Sequence, residues 1–155
     1  MAYNRHEKKP SGGAAVAQFY LLSIFANIVA GLTLAGDFLG ERIPFLSSFK
    51  NLRENRTAQI VVGAVTLVIG AVKLFLGSPG ETVLIAGDLL PALTGIALGG
   101  VLLVEAFRAE VEKQGGKMEK VKKISKAVLS YRVPLGIAGV AVAFVHFLLP
   151  GLIIL

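Results

Sequence analysis

Among the polar residues inside the long apolar stretches of this sequence, Asn27, Lys73, Asp88 and His146 are the candidates for chemistry. A charge placed alone in hydrocarbon costs about 2.5–3.5 kcal/mol on insertion scales, so such residues either pair or line a path for ions and protons. Lys73 and Asp88 flank the turn-forming run Gly77-Ser78-Pro79-Gly80-Glu81-Thr82, which predicts an antiparallel helical hairpin with the two charges at comparable depth. Two uses follow from that placement: a static ion pair that fixes helix register, or an ion or proton site. Histidine as a residue type can change charge near neutral pH, and His146 is placed either to join them as a relay or to hydrogen-bond a neighbouring helix. Asn27, alongside Ser23 and Ala30, reads as interhelical hydrogen-bonding glue.

Other chemistry is hard to build from these residues. No apolar stretch carries paired carboxylates set for acid–base work, and no serine or threonine has a recognisable base in sequence. His6 and His146 stand at opposite ends of the chain, so no histidine pair with zinc spacing exists. There are no cysteines, which excludes disulfides, thiolate metal sites and dithiol redox chemistry. The expectation is a protein with no catalytic residues, no metal and no cofactor.

The elements that must position these residues are read from hydropathy. With 54% hydrophobic and only 17% charged residues, and a mean hydropathy of +0.71, a chain of 155 residues has too little interior to hide its apolar surface from water. Four stretches, at about residues 14–39, 57–77, 83–107 and 133–155, are long enough to cross a hydrocarbon core of about 30 Å. The first is too long for the apolar region of a secretion signal. The predicted fold is all-α: a polytopic integral membrane protein, a bundle of four transmembrane helices (residues 14–155) behind a basic tail (residues 1–13).

Two loops are predicted to carry interfacial amphipathic helices. In the first, residues 40–56, Ile43, Phe45, Leu46, Phe49 and Leu52 stand among charges. In the third, residues 108–132, Met118, Val121, Ile124, Val128 and Tyr131 recur at helical spacing among Lys117, Lys120, Lys122, Lys123 and Lys126. Those lysines are expected to bind the headgroups of anionic lipid. The net charge of +6 is accounted for in the same way, with phospholipid and not nucleic acid as the nearer anion.

Small residues line one face of the second stretch (Gly63, Thr66, Gly70, Lys73, Gly77) and one of the third (Asp88, Pro91, Ala92, Gly95, Gly99, Ala106), including a Gly95-xxx-Gly99 motif. Close helix packing is the expected use, the two faces meeting across the tight turn. Twelve of the sixteen lysines and arginines flank the two long loops, which places those loops in the cytoplasm of a cell (inner) membrane and both termini outside. Two short matches, Arg56/Gly63 with Arg132/Gly139 and Ala35-Gly36-Asp37 with Ala86-Gly87-Asp88, contradict each other as a duplication and are read as coincidence. The functional expectation is a non-enzymatic membrane subunit or scaffold that forms homo-oligomers or joins a membrane complex and binds anionic lipid. The alternative is a small ion or proton channel or transporter built on Lys73, Asp88 and His146.

Overall fold

The computed structural model describes residues 12–75, 84–113 and 119–149, with side chains described for 18–75, 89–113 and 119–149. All regular structure among them is helical: α1 (Gly12–Leu34), α2 (Gly36–Gly40), a 3₁₀ turn (Pro44–Leu46), α3 (Ser47–Glu54), α4 (Arg56–Phe75), α5 (Leu84–Lys113), α6 (Glu119–Ser130) and α7 (Arg132–Leu148). The 77–82 turn, Lys117 and the side chain of Asp88 lie outside the described residues.

Hydropathy carries the first stretch on to Leu39, yet α1 stops at Leu34 and the chain restarts after Ala35 as α2. Gly36 sits so close to the backbone of α3 that a Cβ there would lie 2.9 Å from Lys50 N and Phe49 C. Packing against α3, not a loss of apolar residues, ends the first helix. Pro44 opens the 3₁₀ turn, where its missing N–H costs nothing. Asn55, with extended backbone, closes α3, and its Oδ1 accepts the Ala58 N–H at 3.2 Å to cap α4. Helix α5 continues beyond Phe107 to Lys113, supported by an i,i+4 pair from Arg108 to Glu112 at 2.7 Å.

Helices α4 and α5 run antiparallel with their glycines interleaved. A Cβ at Gly63 would lie 3.1 Å from the Gly99 carbonyl oxygen, and one at Gly70 only 2.7 Å from that of Ala92. Helices α1 and α7 repeat the arrangement, a Cβ at Gly31 falling 2.6 Å from the Gly136 carbonyl oxygen. Such backbone-to-backbone approach gains dispersion where no hydrophobic drive separates helix from lipid. Ala30, Leu34, Leu98, Leu102 and Leu129 form the core where α1, α5 and α6 meet.

The outer surface is apolar, with Leu22, Phe25, Val61, Val65, Val68, Leu93, Phe144 and Phe147 all exposed. An apolar exterior of this extent marks contact with lipid. Two helices, over Arg56–Phe75 and Leu89–Lys113, are long and apolar enough to cross a membrane, and α6 with α7 makes a third if the pair, bent by 53°, is one span. Helix α1 is apolar over Gln18–Leu34.

Candidate functional site

Chemistry-bearing side chains gather at the two ends of the bundle and at a polar node between them. At one end, Asp37 on α2, Arg53 on α3, Glu105 on α5 and Arg132 at the start of α7 meet. Arg53 donates to Glu105 Oε1 from Nε at 3.0 Å and Nη2 at 2.9 Å, and also to Asp37 Oδ2. Arg132 donates to the same two carboxylates, at 3.1 Å to Glu105 Oε1 and 2.9 Å to Asp37 Oδ2. Two cations and two anions thus alternate, each touching both opposite charges. Glu105 serves both arginines through one oxygen, and its Oε2 is buried with no hydrogen-bond partner among the described residues.

The electrostatics of this quartet are self-consistent. Burial pushes the Asp37 carboxyl up, but the Arg53 charge and hydrogen bonds from Arg132 and Arg53 outweigh it, holding the group below the ordinary carboxylate value of 3.8. Burial likewise disfavours charge on Arg53, and hydrogen bonding to Glu105 together with the charges of Glu105 and Asp37 reverses the effect and raises its pKa. Arg132 stands at a helix N-terminus, where the helix dipole opposes a cation. The two carboxylates offset that cost. Nearby, Arg56 reaches Glu110 at 2.6 Å and lies over the Phe107 ring.

At mid-bundle, the Asn27 amide donates to the Pro91 carbonyl at 3.0 Å, tying α1 to α5, and the Thr66 hydroxyl reaches the Ala26 carbonyl at 3.4 Å, tying α4 to α1. Ser23 bonds within its own helix. Gly95 makes room for Asn27: a Cβ there would lie 2.9 Å from the amide oxygen.

At the opposite end, Tyr20 joins three helices. Its hydroxyl donates to the His146 backbone carbonyl, its ring lies 4.8 Å from the His146 ring, and Lys73 Nζ stands 5.6 Å from its centroid. Tyr20 therefore brings together two residues singled out in sequence, His146 and Lys73, that are 73 positions apart. Whether Asp88 completes a pair with Lys73 lies outside the described residues.

Of the other sequence candidates, Gly63, Gly70, Gly95 and Gly99 all face helices of the same chain. Lys120, Lys122, Lys123 and Lys126 stand on α6, whose Val128 and Leu129 pack on the core while Val121 and Ile124 are exposed. The sequence reading missed Asp37, Arg53, Glu105 and Arg132 as a group, and Tyr20. No cluster of three or more metal-ligating His, Cys, Asp or Glu occurs among the described residues.

Fold and surface define an all-helical, membrane-associated bundle with a neutralised charge quartet at one end. A family model of unknown function matches residues 16–146, from α1 to His146 and so including the whole quartet, and the chain belongs to that family. No curated protein and no solved structure matches it.

Proposed function

We propose that the protein is a non-enzymatic membrane subunit that crosses a cell membrane four times, through α1, α4, α5 and α7, and grips anionic lipid at its cytoplasmic face. The charge quartet, α3 and α6 lie at that face in this reading, in keeping with the basic bias of the two long loops. The observation that carries it is α6, a lysine-rich helix set at 53° to α7 that packs Leu129 inward and leaves Val121 and Ile124 exposed. Lysines beside an exposed apolar edge suit a helix lying at the headgroup level of an anionic leaflet, each near-surface lysine adding about 1 kcal/mol. Because Gly63, Gly70, Gly95 and Gly99 are occupied within one chain, assembly with copies or partner proteins would use other surfaces.

The absence of cysteine gives a clean test. An environment-sensitive fluorophore on Ile124→Cys in liposomes is expected to shift to the blue when phosphatidylglycerol replaces part of the phosphatidylcholine, and to shift back at about 1 M salt, where the screening length is about 3 Å. Equal emission in both lipids would overturn the reading.

A second reading, a small ion- or proton-conducting protein, is favoured by the convergence of Tyr20, Lys73 and His146 from three helices. Phenol, ammonium and imidazole can each carry a proton. Proton flux in proteoliposomes, abolished in Lys73→Met and His146→Phe chains that still fold, would establish it; no flux in the wild-type chain would remove it.

A further inference from the structure

Two close helix crossings are made by corresponding residues. In one, a Cβ at Gly31 of α1 would lie 2.6 Å from the Gly136 carbonyl oxygen and 3.2 Å from Val140 N, both on α7. In the other, a Cβ at Gly99 of α5 would lie 2.6 Å from the Gly63 carbonyl oxygen and 2.7 Å from Leu67 N, both on α4. The reverse approaches agree as well: Gly136 faces the Gly31 carbonyl, Leu34 and Ala35, while Gly63 faces the Gly99 carbonyl, Leu102 and Leu103. One shift of 68 positions carries Gly31, Leu34 and Ala35 onto Gly99, Leu102 and Leu103. Another of 73 carries Gly63 and Leu67 onto Gly136 and Val140. Contacts that match under exchange of α1 with α5 and of α4 with α7 define a pseudo-two-fold axis, which runs along the bundle between α1 and α5. Neither shift is that of the short matches visible in the sequence.

The same shifts account for residues outside the crossings. Asp37 falls on Glu105, so the two carboxylates that share both arginines of the quartet are mates. Lys73 falls on His146, and both lie beside the Tyr20 ring. Asn27 falls on Gly95, and this pair meets at the axis, a Cβ at Gly95 lying 2.9 Å from Asn27 Oδ1. Ala30 falls on Leu98, both in the core. In each of the last two pairs a small residue stands opposite a large one. Separate identical units must put the same residue on both sides of an axis; joined units are free to diverge and fill it at full density. The order of elements repeats too, an apolar helix, a short amphipathic helix and a second apolar helix: α1, α3, α4 and then α5, α6, α7.

We propose that the chain is two copies of one helical-hairpin unit, residues 12–75 and 84–148, joined in tandem, and that the faces meeting about this axis are the surface by which one unit takes the other as its partner. Ala30, Leu34, Leu98 and Leu102 close the axis with hydrocarbon, so it serves packing and not passage.

Exchanging mates in the full chain tests the equivalence, read by thermal unfolding in detergent. Ala30→Leu alone overpacks the axis and Leu98→Ala alone leaves a cavity, and each should lower the unfolding temperature by about 5 °C or more. Made together, they move the large residue across the axis, and at least half of the summed loss should return. Asn27→Gly with Gly95→Asn is the second exchange. Its new amide should meet the Ser23 carbonyl, the mate of the Pro91 carbonyl that Asn27 reaches in the native chain. Leu98→Gly with Gly139→Leu swaps two residues that touch but are not mates, and should recover nothing. A folded exchange whose single variants do not fold counts as recovery. Recovery in either mate exchange, with none in the control, supports the proposal. No recovery in both mate exchanges, or equal recovery in the control, would overturn it.

Discussion

At one end of the bundle Asp37, Arg53, Glu105 and Arg132 neutralise one another across four helices, whereas at the other Tyr20, Lys73 and His146 meet through an aromatic ring and a backbone carbonyl. The first arrangement fixes charge: arginine does not give up its proton, and each partner is held in two directions. The second gathers a phenol, an ammonium and an imidazole. A neutralised end beside the lysines of α6 fits the anchoring proposed above, and the two ends differ in the chemistry they offer.

The largest expected effects come from the packing that sets both ends in place. Gly31→Leu forces a side chain into the Gly136 carbonyl and should cost about 3 kcal/mol or abolish folding, while Gly100→Leu, with nothing within 4 Å of its Cβ position, should change thermal unfolding in detergent little. Equal losses in both would mean that α1 and α7 do not pack as described. Next, Glu105→Ala leaves two arginines facing Asp37 alone. Its side chains being 13–30% exposed, the quartet lies between a surface pair and a fully buried one, so the loss should be about 2 kcal/mol. Adding Arg132→Met should restore part of it, because one stranded charge is removed. Additive losses would show that the residues do not act together.

Acid acts on the charged end. Asp37 has a folded-state pKa below its unfolded value of 3.8, so its contribution is complete above that value and is lost as pH falls through the lower one. Unfolding temperature should therefore decline below about pH 4 in the wild-type chain, and part of that decline should vanish in Asp37→Asn. An identical acid decline in both would remove Asp37 from the account. The smallest effect belongs to the opposite end: Tyr20→Phe deletes one hydrogen bond to the His146 carbonyl, worth about 1 kcal/mol. A change well above that, measured in the same unfolding assay, would mean that Tyr20 organises this end more strongly than its contacts indicate.

Features local in sequence were the legible ones. The small-residue faces of α4 and α5 repeat every three or four residues, and the amphipathic period of α6 is visible in twelve. The quartet was not legible, because its members come from four segments whose paired residues are 16 to 95 positions apart. Each alone reads as an ordinary charge beside an apolar stretch. Asp37 drew notice only through a short repeat match, and Tyr20 lacked any signal because an aromatic residue near a span end is commonplace. Helix ends were misplaced for a related reason. Hydropathy registers where apolar residues stop, but α1 ends where Gly36 meets the α3 backbone, and α5 continues through polar residues of good helix propensity.

The proposal is that the charged end faces the cytoplasm of a four-span protein, and labelling of introduced cysteines tests that most directly. Asn51→Cys on α3 and Lys120→Cys on α6 are both exposed in the fold, and Tyr3→Cys reports on the amino-terminal side. In intact cells a membrane-impermeant maleimide should modify Tyr3→Cys alone, with Asn51→Cys and Lys120→Cys reacting only after the membrane is opened. Modification of Asn51→Cys or Lys120→Cys from outside intact cells would contradict the account.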